Sequence, residues 1–149
     1  MTSSDADGPF CSIERAVGVL GERWSFLILR ETVLYRRSRF ADIQAALGIA
    51  TNVLTTRLDS LVSSGLLEKQ TYQEPGARAR ASYHPTARGE SLKLVLVTLQ
   101  QWGDDNLPRT DGPTVLRRSS RDALPVRVGF VDDAGVSLDA GDVELLLAR

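Results

Sequence analysis

Cysteine and histidine are almost absent from this chain of 149 residues, where Cys11 and His84 each stand alone. A single cysteine excludes an internal disulfide framework and a Cys-rich zinc site, both of which need several ligands in one chain. One histidine with few carboxylates nearby leaves no catalytic triad and no His-based metal site. No run approaches the roughly 18 consecutive apolar residues of a membrane helix. Residues 1–9 are polar and acidic and hold no apolar signal core, so a cytoplasmic protein with no membrane partner is expected. What remains is 42% apolar and 25% charged, the make-up of one soluble domain with a genuine core.

The balance of charge, Lys+Arg 18 against Asp+Glu 19, argues on its face against a large nucleic-acid surface. Its distribution argues otherwise. Between residues 36 and 80, seven basic residues (Arg36, Arg37, Arg39, Arg57, Lys69, Arg78, Arg80) face four acidic ones, a net +3. From residue 111 onward five arginines face seven acidic residues, a net −2. An acidic tail masks a basic centre whose arginines suit phosphate forks.

Apolar spacing sets the organisation. Residues 1–9 read as a disordered leader. Ile13, Ala16, Val17 and Leu20 recur at helical spacing after Ser12, a plausible N-cap, and Gly21 stops that helix. A second, core helix is expected from about Arg23 to Leu34, with Trp24, Leu27, Ile28, Glu31 and Leu34 on one stripe. Ser38 is expected to cap a helix carrying Phe40, Ile43 and Leu47, ended by Gly48. The next helix, Thr51 to Ser64, turns Val53, Leu54, Leu58, Leu61 and Val62 inward and Asn52, Thr55, Thr56 and Asp59 outward.

Leu66–Tyr72 and Ala79–Tyr83 then read as strands about the turn Glu74-Pro75-Gly76-Ala77. Thr86 is expected to cap a long helix reaching Asn106, whose apolar residues surround more than one face. That excess makes Leu92, Val95, Leu96, Leu99 and Trp102 a candidate homodimer seam. Pro108, Gly112 and Pro113 mark a linker into residues 107–149. There, short strands at Val126–Val131 and Val136–Leu138 and an ambiguous segment at Val143–Leu147 suggest a small β-rich extension.

Helix, glycine turn, helix with a small polar face, then a basic hairpin is the order of a winged helix-turn-helix: mainly α, with a β-hairpin wing. Such a helix enters the major groove, where Asn and Thr reach base edges, while Arg on the wing follows phosphates or enters the minor groove. Over residues 10 to 106 the chain resembles the HxlR family of winged-helix transcriptional regulators, relatives of the MarR group. The resemblance rests on Cys11-Ser12-Ile13-Glu14-Arg15-Ala16, on Gly21-Glu22-Arg23-Trp24 and the helix that follows, and on Arg39-Phe40. Val53-Leu54-Thr55-Thr56-Arg57-Leu58 with Leu61 and Gly65-Leu66, then Tyr83, Thr86 and Gly89, and finally Trp102-Gly103, continue it. Three departures stand out. Arg36 lies near where the family has a turn Gly, Pro85 replaces a Leu, and the extension lacks the cysteines of zinc-ribbon-like relatives, so it is expected to be metal-free.

The candidate DNA contacts are therefore Arg37, Ser38, Arg39, Thr51, Asn52, Thr55, Thr56, Arg57, Arg78 and Arg80. Arg39 has a salt bridge to Asp42 as its alternative, and Arg57 a pair with Asp59 or Glu68. The resemblance also makes Cys11, just ahead of a helix and one turn from Arg15, a redox-sensing candidate. The expected protein is a homodimeric repressor on a pseudo-palindromic operator in double-stranded DNA, without cofactor or catalysis, and open to a small-molecule effector of unknown identity. A winged-helix protein-interaction or ligand-binding module without DNA binding is the alternative, and a thiol enzyme a distant third.

Overall fold

The computed structural model describes residues 11–148, so the leader expected at residues 1–9 lies outside the described residues. The chain begins with α1 (Ser12–Leu20) and α2 (Arg23–Leu29), the latter continued by one π turn, Arg30–Leu34. Next come α3 (Phe40–Leu47), α4 (Thr51–Ser63), β1 (Leu67–Tyr72), β2 (Arg80–Pro85), α5 (Ala87–Glu90) and α6 (Lys93–Asn106). Two short strands, β3 (Phe130–Val131) and β4 (Ser137–Leu138), lie in the extension. The described residues fall into two compact units that divide between Leu96 and Val97. Among the described residues no helix is long and apolar enough to cross a membrane.

The core of the first unit joins α2, α3 and α4 to the base of the hairpin. Ile28, Leu29, Val33, Ile43, Leu54, Leu58 and Leu61 are almost fully buried, and Leu67 and Tyr83 close the core from the strands. Each such side chain contributes roughly 1.5–3 kcal/mol of burial free energy. Val53 and Val62, expected inward, lie half-buried at its margin. On α1 only Leu20 is buried, while Ile13 and Val17 are exposed.

Four local expectations are corrected. The N-cap of α1 is Cys11 rather than Ser12, whose hydroxyl instead accepts from Arg15. The N-cap of α3 is Arg39 rather than Ser38, because the Ser38 carbonyl is taken by the Tyr83 N–H at 2.7 Å. The single helix expected over Arg23–Leu34 ends in a wider turn, with the Tyr35 N–H donating to the Arg30 carbonyl.

The long helix expected from Thr86 to Asn106 is broken at Ser91–Leu92. Thr86 does cap its start, accepting the Gly89 N–H at 3.1 Å while donating to the Gly65 carbonyl at 2.5 Å. That clamp presses α5 onto the preceding loop so closely that a Cβ on Gly89 would sit 2.1 Å from the Leu66 carbonyl oxygen. The Leu92 N–H then bonds back to Gly89, a tight turn, and Ser91 caps the Arg88 carbonyl. Leu96 is consequently core rather than seam, and Leu92 is half-buried against it.

In the extension the strands are shorter than expected, two residue pairs each, Phe130 with Leu138 and Val131 with Ser137. The Asp132 carboxylate accepts the N–H groups of Ala134 and Val136 to close the turn. Val143–Leu147 is neither strand nor helix.

Candidate nucleic-acid interface

Helices α3 and α4 meet at Gly48, which carries the left-handed φ of 62° that ends α3. Ile49 is buried under the turn. The Gln44 side-chain amide crosses it, donating to the Ile49 carbonyl at 3.3 Å and to the Thr51 hydroxyl at 2.8 Å. Thr51 therefore serves to lock the two helices in their relative orientation.

With Leu54, Leu58 and Leu61 buried, α4 turns Asn52, Thr55, Thr56 and Asp59 to solvent, as their spacing predicts. The Thr55 hydroxyl donates to the Thr51 carbonyl and Thr56 to Asn52, both at 2.9 Å. This back-bonding leaves each hydroxyl oxygen free to accept and keeps the surface low, with methyl groups outward. The same face can meet amino groups and thymine methyls in a major groove.

The hairpin pairs Leu67 with Pro85 at its base and Tyr72 with Arg80 at its outer end. Pro75 and Gly76, the latter at φ 76°, form its turn, with the Ala77 N–H donating to Glu74. That is the type II pattern, Pro then a left-handed Gly. Arg78 and Arg80 are exposed. With Phe40, Ala41 and Tyr72 they line an open cleft of about 460 Å³ between the wing and the first turn of α3. Two exposed guanidinium groups on one open cleft make an environment suited to phosphate.

The other arginines expected to contact DNA are tied to carboxylates. Arg37 pairs with Glu31, which is 2% exposed and also takes Arg30 at 2.7 Å. Arg30 and Arg37 both lie over the Tyr35 ring. Glu31, expected only as part of an apolar stripe, is thus the buried anchor of the loop leading into the motif. Arg39 pairs with Glu74 at 2.8 Å, not with Asp42, and stacks 4.6 Å above the Tyr72 ring. Arg57 pairs with Glu22, not with Asp59 or Glu68, so it fastens α4 to the start of α2. Arg36 takes a left-handed φ of 60°, the conformation that a Gly at this turn would accommodate, and pairs with Glu90.

Cys11 is exposed. The N–H groups of Glu14 and Ile13 at the start of α1, and more weakly Arg15, hold its thiol below the usual range. His84 is a strand residue whose Nε2 meets the Ser82 hydroxyl at 2.9 Å. Trp24 packs against the core, whereas Trp102 is exposed. No group of three or more His, Cys, Asp or Glu among the described residues is placed to hold a metal ion.

A family model, HxlR-like helix-turn-helix, matches residues 19–111. The chain belongs to the HxlR-like helix-turn-helix family. An uncharacterised HTH-type transcriptional regulator of Mycobacterium tuberculosis is 40% identical over 107 residues, covering 72% of this chain and 66% of the relative. The chain thus spans just under two thirds of that relative's length. The crystal structure of PA1607, a candidate transcription factor, is similar at a TM-score of 0.80 and 29% identity. It covers 94% of this chain and 96% of its own. The reduced form of the transcriptional regulator YodB from Bacillus subtilis follows at a TM-score of 0.55 and 28% identity, over 65% of this chain and 95% of its own. Within the HxlR-like frame, α3 and α4 are the helix-turn-helix and β1–β2 the wing, which makes the fold a winged helix. Sequence reasoning missed Gln44, Tyr72, Glu74 and Glu31, since none belongs to a motif: Tyr72 and Glu74 act on the distant Arg39, while Gln44 and Glu31 act through near neighbours whose pairing no periodicity marks.

Proposed function

We propose that this chain is a DNA-binding transcriptional regulator, acting as a homodimeric repressor on a pseudo-palindromic operator. The observation that carries the reading is the exposed Asn52, Thr55 and Thr56 face of α4 flanked by Arg78 and Arg80, which hold no ion pair among the described residues. In this reading α4 lies in the major groove. Asn52 takes an adenine edge bidentately, Thr55 and Thr56 meet thymine methyls or exocyclic amines, and the wing arginines grip the adjacent backbone. Val95, Leu99 and Trp102, exposed on α6, form the seam that would set two copies of α4 about 34 Å apart, one helical turn of DNA.

Cys11 supplies the response to oxidants. Support comes from its exposure and lowered thiol pKa, and from the relative YodB, which has also been solved after diamide treatment. Oxidation by a thiol oxidant of the diamide class would join Cys11 to a second thiol, an intersubunit Cys11 or a small thiol, with two electrons and the two thiol protons passing to the N=N bond of the reagent.

The test is fluorescence anisotropy on a duplex from the region upstream of the gene, at several salt concentrations. Specific binding should weaken steeply as salt rises. Asn52→Ala with Thr56→Ala should lower specific affinity at least tenfold while leaving non-specific affinity within about twofold, since each good base contact is worth roughly 1–3 kcal/mol. No specific complex at moderate salt, or one indifferent to this double substitution, refutes the reading. Loss of the complex after diamide in wild type but not in Cys11→Ser tests the redox part.

A further inference from the structure

One cavity of the first unit serves neither the DNA face nor the proposed seam. It is a cleft of about 410 Å³ between α1 and the break that separates α5 from α6, within the roughly 300–1,000 Å³ of small-molecule sites. Its floor is aliphatic: Leu20 and Leu66 are buried, Val19 and Leu92 half-buried, and no aromatic ring lines it. Arg15 and Arg88 line it too and are exposed, which puts their guanidinium groups at the mouth. Among the described residues no Asp or Glu belongs to the lining, and the acid nearest Arg88 in α5, Glu90, is taken by Arg36. A cleft that is aliphatic below and doubly cationic above is complementary to an aliphatic carboxylate. The hydrocarbon chain leaves water on the floor, and a guanidinium fork takes the carboxylate through two charge-assisted hydrogen bonds.

The two walls of the cleft are held unequally. Leu66 is fixed: its N–H donates to the Leu61 carbonyl of α4 at 3.0 Å, its carbonyl accepts the Thr86 N–H at 3.1 Å, and α5 is clamped against it. On α1, by contrast, only Leu20 is buried. Past Leu20 and Gly21 comes Glu22, whose carboxylate holds Arg57 of α4. A carboxylate shared by Arg15 and Arg88 ties α1 to the fixed wall. It thereby keeps Glu22 on Arg57, one of the arginines expected to reach phosphate.

We propose that this cleft binds a medium-chain aliphatic carboxylate, its head on Arg15 and Arg88 and its chain on Leu20, Leu66 and Leu92, and that the bound ligand weakens the grip on DNA by holding Arg57 to Glu22. The binding part stands by itself, whereas the effector part rests on the DNA reading. By linkage, DNA and ligand weaken each other by the same factor.

The test follows the backbone amides of the full chain by nuclear magnetic resonance as octanoate is added. The amides of residues 16–20, 66 and 88–92 should shift saturably, with a dissociation constant below about 1 mM. Octanamide, the neutral isostere, should bind at least about fivefold more weakly, and Arg15→Gln with Arg88→Gln should bring octanoate down to the level of octanamide. Three results overturn the binding part: no saturable shift at those amides, whether a second copy fills the cleft or nothing does; equal affinity for acid and amide; or a preference for the acid that survives the double substitution. Should that variant lose its helical circular dichroism, the wild-type comparison of acid with amide decides. The effector part is read by anisotropy on the upstream duplex, with octanoate against equal sodium acetate. Saturating octanoate should weaken specific binding at least about threefold in wild type and leave Glu22→Gln unaffected. Unchanged affinity in wild type, or a loss that persists in Glu22→Gln, overturns the effector part. Absence of any specific complex removes the DNA reading and the effector part with it, while the resonance titration still decides the cleft.

Discussion

Replacing Glu74 by Gln should strengthen DNA binding, because in the free protein this carboxylate occupies the guanidinium that a phosphate would take. Arg39 holds Glu74 at 2.8 Å while stacked on Tyr72, and both ends of the pair are about half exposed. An approaching phosphate must either displace the carboxylate or sit near it. Displacement costs what an exposed ion pair is worth, about 0.2–1 kcal/mol. Retention places like charges roughly 6 Å apart, about 0.7 kcal/mol in a solvent-like medium. Removing the charge should therefore gain up to about 0.7 kcal/mol per half-site, roughly threefold each and about tenfold for a complex on two half-sites, and one more phosphate contact should steepen the salt dependence by about 0.9 per half-site.

Anisotropy titrations between low and moderate salt read both quantities. Glu68→Gln supplies the control: it makes the same change in net charge on the same hairpin, but at the base of the wing, opposite His84, where no arginine holds it. It should alter affinity less than twofold. In an Arg39→Ala background the gain from Glu74→Gln should shrink to the level of that control. Equal effects of the two glutamine substitutions, or a gain that persists without Arg39, would refute the competition argument.

Other outcomes follow from single contacts. Gly89→Ala places a Cβ 2.1 Å from the Leu66 carbonyl oxygen, backbone that cannot swing aside. It should cost about 3 kcal/mol and lower the melting temperature by roughly 6–12 °C, and an unchanged melt would show that the α5 clamp is loose. Glu31→Gln leaves one carbonyl oxygen where a buried carboxylate took two arginines. The loss should be about 2 kcal/mol, read by urea denaturation, and less than a quarter of that would contradict the anchoring role. Arg36→Gly removes a left-handed φ of 60° from a residue with a Cβ, a relief of roughly 1–2 kcal/mol, against loss of the exposed pair with Glu90. The melting temperature should rise, and a fall would mean that the pair outweighs the strain. The Cys11 thiol, held low by the N–H groups of Glu14 and Ile13, deprotonates earlier than usual as pH rises. Its alkylation by iodoacetamide should therefore reach half its maximal rate at lower pH in the folded protein than in the same chain unfolded in urea, and an equal or higher midpoint contradicts the lowered pKa.

Periodicity located α3, α4 and the two strands to within a residue or two because their apolar residues all face one core. Ile43, Leu54, Leu58, Leu61 and Leu67 are buried for the reason their spacing implies. It failed where contacts between distant segments decide. The break at Ser91–Leu92 follows from Gly89 lying against Leu66, more than twenty residues earlier, a contact no local pattern encodes. Periodicity also assigned Leu96 to a seam, since an apolar residue on an overfilled helix looks the same whether its own chain or a partner covers it.

The arginines show the same limit in charge. Composition marks residues 36 to 80 as basic, yet within that stretch Arg36, Arg37, Arg39 and Arg57 are each paired with a carboxylate, three of them with acids that lie outside it. Arg78 and Arg80, beside the first turn of α3, stand on the wing without an ion pair among the described residues. Ion pairs at the surface are worth little and dissolve when a denser anion arrives, whereas Glu31 is buried and keeps its partners. The set of arginines expected to touch DNA therefore divides by the exposure of the acid each one holds. Arg39 and Arg57, on exposed carboxylates, can be recruited to phosphate, while Arg37 stays with Glu31 and fixes the loop from which α3 starts. Arg37→Ala should then lower stability and specific affinity together without changing the salt slope. In the Glu74→Gln background, Arg39→Ala should reduce the salt slope by about 0.9 per half-site and leave the melting temperature in place.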